Sequence, residues 1–191
     1  MIKVAIFSSG AAGTALVLLE KFLLHAQIQT AFVLLTNPEE GAIKKFSSGN
    51  LPLLEISEAE LSSKSGFILD EIQGLGVDFV LLVDAFPKIP EAIISAFPSK
   101  ILGIRTELPE MTSAGFVEEE GAANARLFIQ LLQAEDYFGE ILFELSYAVG
   151  KDKSTSDIAA RVIEIEKLHY PLIAAHYIFK TTGMKSRKKH D

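Results

Sequence analysis

The chain has no cysteine among its 191 residues. That excludes disulfide cross-links, thiolate nucleophiles and zinc–cysteine centres. It also lacks any apolar run near the roughly 18–20 residues of a membrane-spanning helix. Its opening, Met1-Ile2-Lys3-Val4-Ala5-Ile6-Phe7, has neither the basic region nor the long apolar stretch of a secretory signal. A cytoplasmic protein with no membrane partner is expected. Positive charge is short as well: 18 Lys and Arg against 25 Asp and Glu leave −7. Binding nucleic acid relies on neutralising phosphates, so no nucleic-acid partner is expected. No linker, internal repeat or break in composition divides the chain. Residues 1–180 therefore read as a single domain, and 181–191 as a polar, basic tail expected to be disordered. What is present is 49% hydrophobic and 23% charged, enough to bury a full core.

Short apolar runs alternate with helical spacing through the first hundred residues. Val4 to Phe7 is an uninterrupted strand run, as in a parallel sheet covered on both faces. It ends at Ser8-Ser9-Gly10, after which Leu16, Leu19, Phe22 and Leu23 recur at helical spacing. Thr30 to Leu35 is a second strand, stopped by Pro38, and a short helix follows from Glu39 to Phe46. Leu51 to Ile56 is a third strand, which Pro52 assigns to a sheet edge. Ser57-x-x-Glu60 is a capping-box signature opening a helix towards Gln73, with Gly74 as its stop. Val77 to Val83, Pro90 to Phe97 and Lys100 to Ile104 then read as strand, helix and strand. This order predicts an α/β fold with a doubly wound, mostly parallel, Rossmann-like sheet.

The later part changes character. Leu127 to Leu132 and Ile141 to Val149 are strand candidates separated only by Gln133 to Glu140, which predicts an antiparallel addition. Ser154-Thr155-Ser156-Asp157 is the expected cap of a long C-terminal helix carrying Ile158, Val162, Ile165, Leu168 and Leu172, with a kink or interruption at Pro171.

Few motifs carry chemistry. Ser9-Gly10-Ala11-Ala12-Gly13-Thr14 joins the first strand to the first helix, where backbone N–H groups and a helix N-terminus can receive an anion. It is neither G-x-G-x-x-G nor a lysine-bearing P-loop, so a phosphate cradle and a plain tight turn both fit. Asp84 ends the fourth strand, on the side where open α/β sheets hold ligands. No G-x-S-x-G elbow exists to place a nucleophilic serine. His25, His169, His176 and His190 fall away from strand ends, and Glu118-Glu119-Glu120 reads as a solvated run. No metal is expected.

Taken together, these segments resemble the 10-formyltetrahydrofolate-dependent formyltransferases, in particular glycinamide ribonucleotide formyltransferase, over about residues 1–180. Ile6 to Thr14 is similar to the family's strand and S-G-x-G-S-N loop. The resemblance thus implies substrate-phosphate contacts at Ser9, Gly10, Ala11, Ala12, Gly13 and Thr14. Gly76 to Val83 resembles the strand before the folate loop, which implies a folate-like pocket at Asp84, Phe86, Pro87, Lys88 and Ile89. Glu166-Lys167-Leu168-His169-Tyr170-Pro171-Leu172 resembles the closing E-H-x-x-Y-P-L. The implied ligands are a phosphorylated ribonucleotide and 10-formyltetrahydrofolate.

The family's reactive positions are where the chain departs. The strand that normally ends N-I-H-P-S-L-L-P reads Gly103-Ile104-Arg105-Thr106-Glu107-Leu108-Pro109, and the D-G-G-P loop reads Asp136-Tyr137-Phe138-Gly139. The asparagine and histidine positions are thus Gly103 and Arg105, and the aspartate position is Tyr137, with Asp136 one residue earlier. Glycine has no amide with which to polarise a carbonyl, and arginine stays protonated. The resemblance therefore implies a formyltransferase-family protein of reduced or lost activity. Two alternatives stay open: an active transferase on another amine or phosphorylated substrate using Arg105 with Glu107 or Asp136, and a non-catalytic structural or regulatory binding protein.

Overall fold

The computed structural model describes residues 1–46, 51–84, 86–108, 111–112, 115–116, 123–149 and 155–183. Its first half repeats strand and helix: β1 (Ile2–Ser9), α1 (Gly13–Leu23), β2 (Ile28–Thr36), α2 (Glu40–Phe46) and β3 (Leu53–Ile56). Then come α3 (Glu58–Ser63), α4 (Ser65–Gly74), β4 (Phe79–Leu82), α5 (Glu91–Ala96) and β5 (Ile101–Glu107). The second half holds β6 (Met111–Thr112), β7 (Gly115–Phe116), β8 (Ala123–Gln133), β9 (Tyr137–Val149) and α6 (Thr155–Thr182).

Seven strands form one sheet in the order β3-β2-β1-β4-β5-β8-β9. The first five pair in parallel, and β5–β8 and β8–β9 pair antiparallel. β1 lies centrally, so Val4, Ala5, Ile6 and Phe7 are all fully buried, alternately on the two faces. On one face Val4, Ile6, Leu81 and Ile129 pack with Ala15, Leu18 and Phe22 of α1 and with Ile165, Tyr170, Ala174 and Ile178 of α6. On the other, Ala5, Phe7, Val80 and Ile101 pack with Leu61, Ile68, Ile72, Ile93 and Ile94 of α3, α4 and α5. Pro52 lies just before the edge strand β3, and its carbonyl accepts from Val33 N–H at 3.0 Å.

Several expectations need correction. The capping box forms as read, with Glu60 accepting from Ser57 N–H and Oγ at 2.8 Å each. The helix it opens nevertheless divides at Lys64 into α3 and α4. α6 runs through Pro171 without a break over 28 residues. Its buried stripe is set by Ile158, Ile165, Tyr170, Ala174 and Ile178, whereas Leu168 and Leu172 are 62% and 61% exposed. Tyr170 explains the difference: its hydroxyl donates to the Leu102 carbonyl at 2.8 Å, and that contact sets which side of α6 meets the sheet. The β8–β9 connection is only 134–136, because both strands extend past their apolar runs. The short β6–β7 pair was not anticipated. Ser154, Glu118 to Glu120 and residues 184–191 of the tail lie outside the described residues.

Candidate functional site

The parallel strands β1, β2 and β4 end at one edge of the sheet, and just past each end is a non-glycine residue in the left-handed region. These are Ala12 (φ 52°), Asn37 (φ 43°) and Asp84 (φ 56°). Such conformations cost about 1–3 kcal/mol each and concentrate at functional sites. Around them the loops are tied together: Ala12 N–H donates to the Ser9 carbonyl at 3.1 Å, and Glu39 N–H to the Gly10 carbonyl at 3.0 Å.

Asp84 is the hub of this edge. Its carboxylate accepts from Ser8 Oγ at 2.7 Å, Thr14 N–H at 2.8 Å and Ala15 N–H at 3.0 Å. Ser9 Oγ donates to its carbonyl, and its own N–H donates to Glu166 Oε1 at 2.9 Å. The first-turn amides of α1 thus already hold an anion, supplied by the chain itself. Thr14, expected to offer a hydroxyl to phosphate, is fully buried, and its Oγ1 has no hydrogen-bond partner. Gly13 leaves room for a cation: a Cβ there would lie 2.9 Å from Lys167 Cε and Nζ. The Lys167 ammonium therefore sits against the turn, where any side chain at position 13 would displace it.

Glu166 is 3% exposed. Burial pushes its carboxyl up to about 7, and the nearby Asp84 charge acts in the same direction. Asp84 N–H, the neighbouring Thr14 side chain and the Lys167 charge oppose the rise without cancelling it. The result is an acid poised near neutrality that accepts from the backbone of Asp84.

Next to this edge a cleft of about 390 Å³ opens between the loop after β4, the middle of β5 and the β8–β9 turn. Phe86 and Lys88 come from the first, Gly103 from the second, and Leu132, Asp136 and Tyr137 from the third. Phe86 is backed by Phe7, ring centroids 5.5 Å apart. Tyr137 takes a left-handed backbone (φ 64°), its hydroxyl accepts from Ile89 N–H at 3.2 Å, and the Lys88 ammonium stands 4.9 Å over its ring. Burial raises the Tyr137 phenol above its ordinary value, so near neutral pH it stays protonated. Of the expected pocket residues, Phe86 and Lys88 line the cleft. Asp84 turns to α1, Ile89 is buried in the core, and Pro87 is not in the lining.

Gly103 lines the cleft, but the tip of one side chain stands over it. A Cβ at that position would lie 2.5 Å from Leu132 Cδ1 and 3.9 Å from Leu82 Cδ1. Hydrocarbon fills the place where a side chain would stand. Arg105 stacks over Phe128 at 4.4 Å and Phe138 at 5.4 Å, and its Nη1 pairs with Glu107 Oε1 at 2.7 Å. Glu107 is shared with Arg126, which also approaches Glu144 at 3.6 Å. Glu107 is thus spent on two guanidinium groups, whereas Asp136 is exposed in the cleft lining. None of the described histidines lines the cleft; His169 stacks on Phe143 at 5.0 Å and His25 lies against Phe179 at 5.3 Å. Among the described residues no group of three or more acidic or histidine side chains could hold a metal ion, and no helix is long and apolar enough to cross a membrane.

Leu132, Lys167 and Glu166 were not among the expected site residues. Leu132 reads in sequence as one more strand residue. Glu166 had one signal, its place at the head of the segment that resembles E-H-x-x-Y-P-L.

Fold and crevice together define an α/β protein of the formyltransferase fold. No protein-family model matches the chain. By sequence the chain is a relative of phosphoribosylglycinamide formyltransferase. It is 28% identical over 158 residues to the chloroplastic enzyme of that name from Arabidopsis thaliana, a match covering 75% of this chain. The chain spans about half the length of that relative, 54%. Among solved structures, glycinamide ribonucleotide transformylase 1 of Geobacillus kaustophilus superposes with a TM-score of 0.73 at 18% identity, covering 91% of this chain and 97% of the other. A formyltetrahydrofolate deformylase of Pseudomonas putida gives the same TM-score at 15% identity, covering 94% of this chain and 66% of its own. At these identities the structures establish the fold, and that fold serves both transfer and deformylation.

Proposed function

We propose that this chain holds a folate-like ligand in the cleft between Phe86, Tyr137 and Leu132 and transfers formyl groups slowly or not at all. One observation carries the reading. Leu132 Cδ1 fills the space beside Gly103, the position where the family resemblance calls for an amide donor. Formyl transfer from a folate nitrogen to an amine passes through a tetrahedral oxyanion, and losing one preorganised donor to that oxyanion costs about 100–1,000-fold in rate. Losing the proton-transfer partner costs on the order of 100–10,000-fold, and the two need not multiply.

The cleft suits such a ligand in other respects. Phe86 and Tyr137 offer aromatic surface to a flat heterocycle, and the Lys88 ammonium is placed to meet a carboxylate at the rim. The hold of Asp84 on Thr14 and Ala15 supports a further departure: a substrate phosphate would have to displace an internal carboxylate to reach the helix dipole. On this reading the phosphorylated ribonucleotide binds weakly and the folate-like ligand dominates. Asp136, exposed in the cleft, is the residue best placed to support any residual proton transfer.

Calorimetry tests the proposal, with 10-formyl-5,8-dideazafolate in one titration and glycinamide ribonucleotide in the other. The folate analogue is expected to bind at micromolar concentration, with much weaker binding of the nucleotide. Absence of binding by the analogue would remove the proposal.

A further inference from the structure

Five buried side-chain nitrogen or oxygen atoms among the described residues have no hydrogen-bond partner: Thr14 Oγ1, Thr30 Oγ1, Arg105 Nε, Gln130 Nε2 and Tyr147 Oη. Three are hydroxyls on separate elements. The two nitrogens are donors only, and the ladder brings them together. In the antiparallel β5–β8 register Gly103 faces Gln130 and Arg105 faces Phe128. Directly opposed residues point to the same side of a sheet, and diagonal neighbours lie about 7–8 Å apart, within reach of long side chains. Gln130 and Arg105 are such a diagonal pair. The Arg105 guanidinium, 4.4 Å over Phe128, shows that its side chain follows this face.

This is the face on which Leu132 covers Gly103 and on which the cleft opens. Gln130 is 1% exposed, and an unmet donor at that depth is unfavourable until something accepts from it. Arg105 commits Nη1 to Glu107 and leaves Nε unmet. Two donors on diagonal ladder positions of one face, one of them on a cation, suit a single acceptor bearing negative charge.

We propose that Arg105 Nε and Gln130 Nε2 form a two-donor site for a ligand oxygen, of a formyl group or a carboxylate, reached when the Leu132 side chain swings off Gly103. The site deepens the folate reading of the cleft, and the two can fail separately. In its role the Gln130 carboxamide stands across the ladder from the position that lost one.

The test uses the 191-residue chain labelled with ¹⁵N. The Gln130 side-chain amide and the Arg105 Nε–H resonances are assigned with Gln130→Leu and Arg105→Lys. Sodium formate and 10-formyl-5,8-dideazafolate are then titrated in turn, with calorimetry of the analogue in parallel. Both resonances are expected to move downfield together with each probe. Gln130→Leu is expected to weaken the analogue about 3- to 10-fold, the contribution of one hydrogen bond, and to raise the Tm of the free protein by removing an unmet donor. If formate moves both resonances but the analogue does not bind, the oxygen site stands and the folate reading falls. If the analogue binds and neither resonance moves, the oxygen site is wrong and the folate reading survives. No movement with either probe, or a Gln130→Leu variant of lower Tm and unchanged affinity, overturns the proposal.

Discussion

Glu166→Gln isolates the buried acid beneath the crevice. In the folded chain this carboxyl titrates at about 7, chiefly because burial disfavours its charge, against 4.5 when exposed. Between those two values the folded state keeps a proton that the unfolded state has released. Stability must therefore fall as pH rises from about 4.5 and level off above about 7. The interval corresponds to roughly 3 kcal/mol across the full window. Glutamine keeps the acceptor for Asp84 N–H, which Glu166 Oε1 meets at 2.9 Å, and it has no proton to gain or lose. Asp84 and Lys167, the charged groups facing Glu166, remain in place, so the difference between the two proteins reports this one site. Urea denaturation at half-unit steps from pH 4.5 to 8 is the assay. The variant should gain on the wild type progressively, by on the order of 3 kcal/mol in all, with most of the gain complete by pH 7.5. Parallel curves over that range would refute the assignment of a raised Glu166.

Asp84→Ala should cost about 1–3 kcal/mol by stripping the anion from the first turn of α1. It should also allow inorganic phosphate to raise the Tm of the variant; an equal rise in the wild type would show that Asp84 does not occupy the anion position. Gly103→Asn should destabilise by about 1–3 kcal/mol through overpacking against Leu132. In a double-mutant cycle Leu132→Ala should relieve that cost, and strictly additive effects would contradict the close approach. Tyr170→Phe should lose about 1–3 kcal/mol, because the buried Leu102 carbonyl is left without its donor; an unchanged Tm would deny the bond that orients α6.

Much of the scaffold was legible because its signals are local. Val4 to Phe7 cannot be half-solvated, so β1 had to be covered on both faces, and Pro52 pointed to a sheet edge. Ser57 and Glu60 satisfy one another within a single turn, so the cap was readable, whereas no proline between 58 and 74 marks the break at Lys64. The stripe of α6 misled for a related reason. Leu168 and Leu172 have the right spacing, but the hydrogen bond from Tyr170 to a carbonyl 68 residues away decides which side faces inward. The site was less legible still. Asp84 was visible as a strand-end acid, yet its use as the internal anion of α1 joins residues 70 positions apart. Gly103 was visible as a missing side chain, but only the folded chain shows Leu132 filling its place and, through the β5–β8 register, Gln130 standing opposite.

The central claim is that a cleft with hydrocarbon beside Gly103 and an arginine at position 105 retains a folate-like molecule better than it converts one. Steady-state formyl transfer from 10-formyltetrahydrofolate to glycinamide ribonucleotide measures this directly. The account predicts turnover at least about 1,000-fold below the ordinary enzymatic range of about 1–1,000 s⁻¹, alongside measurable binding of the folate. Turnover inside that range would contradict it.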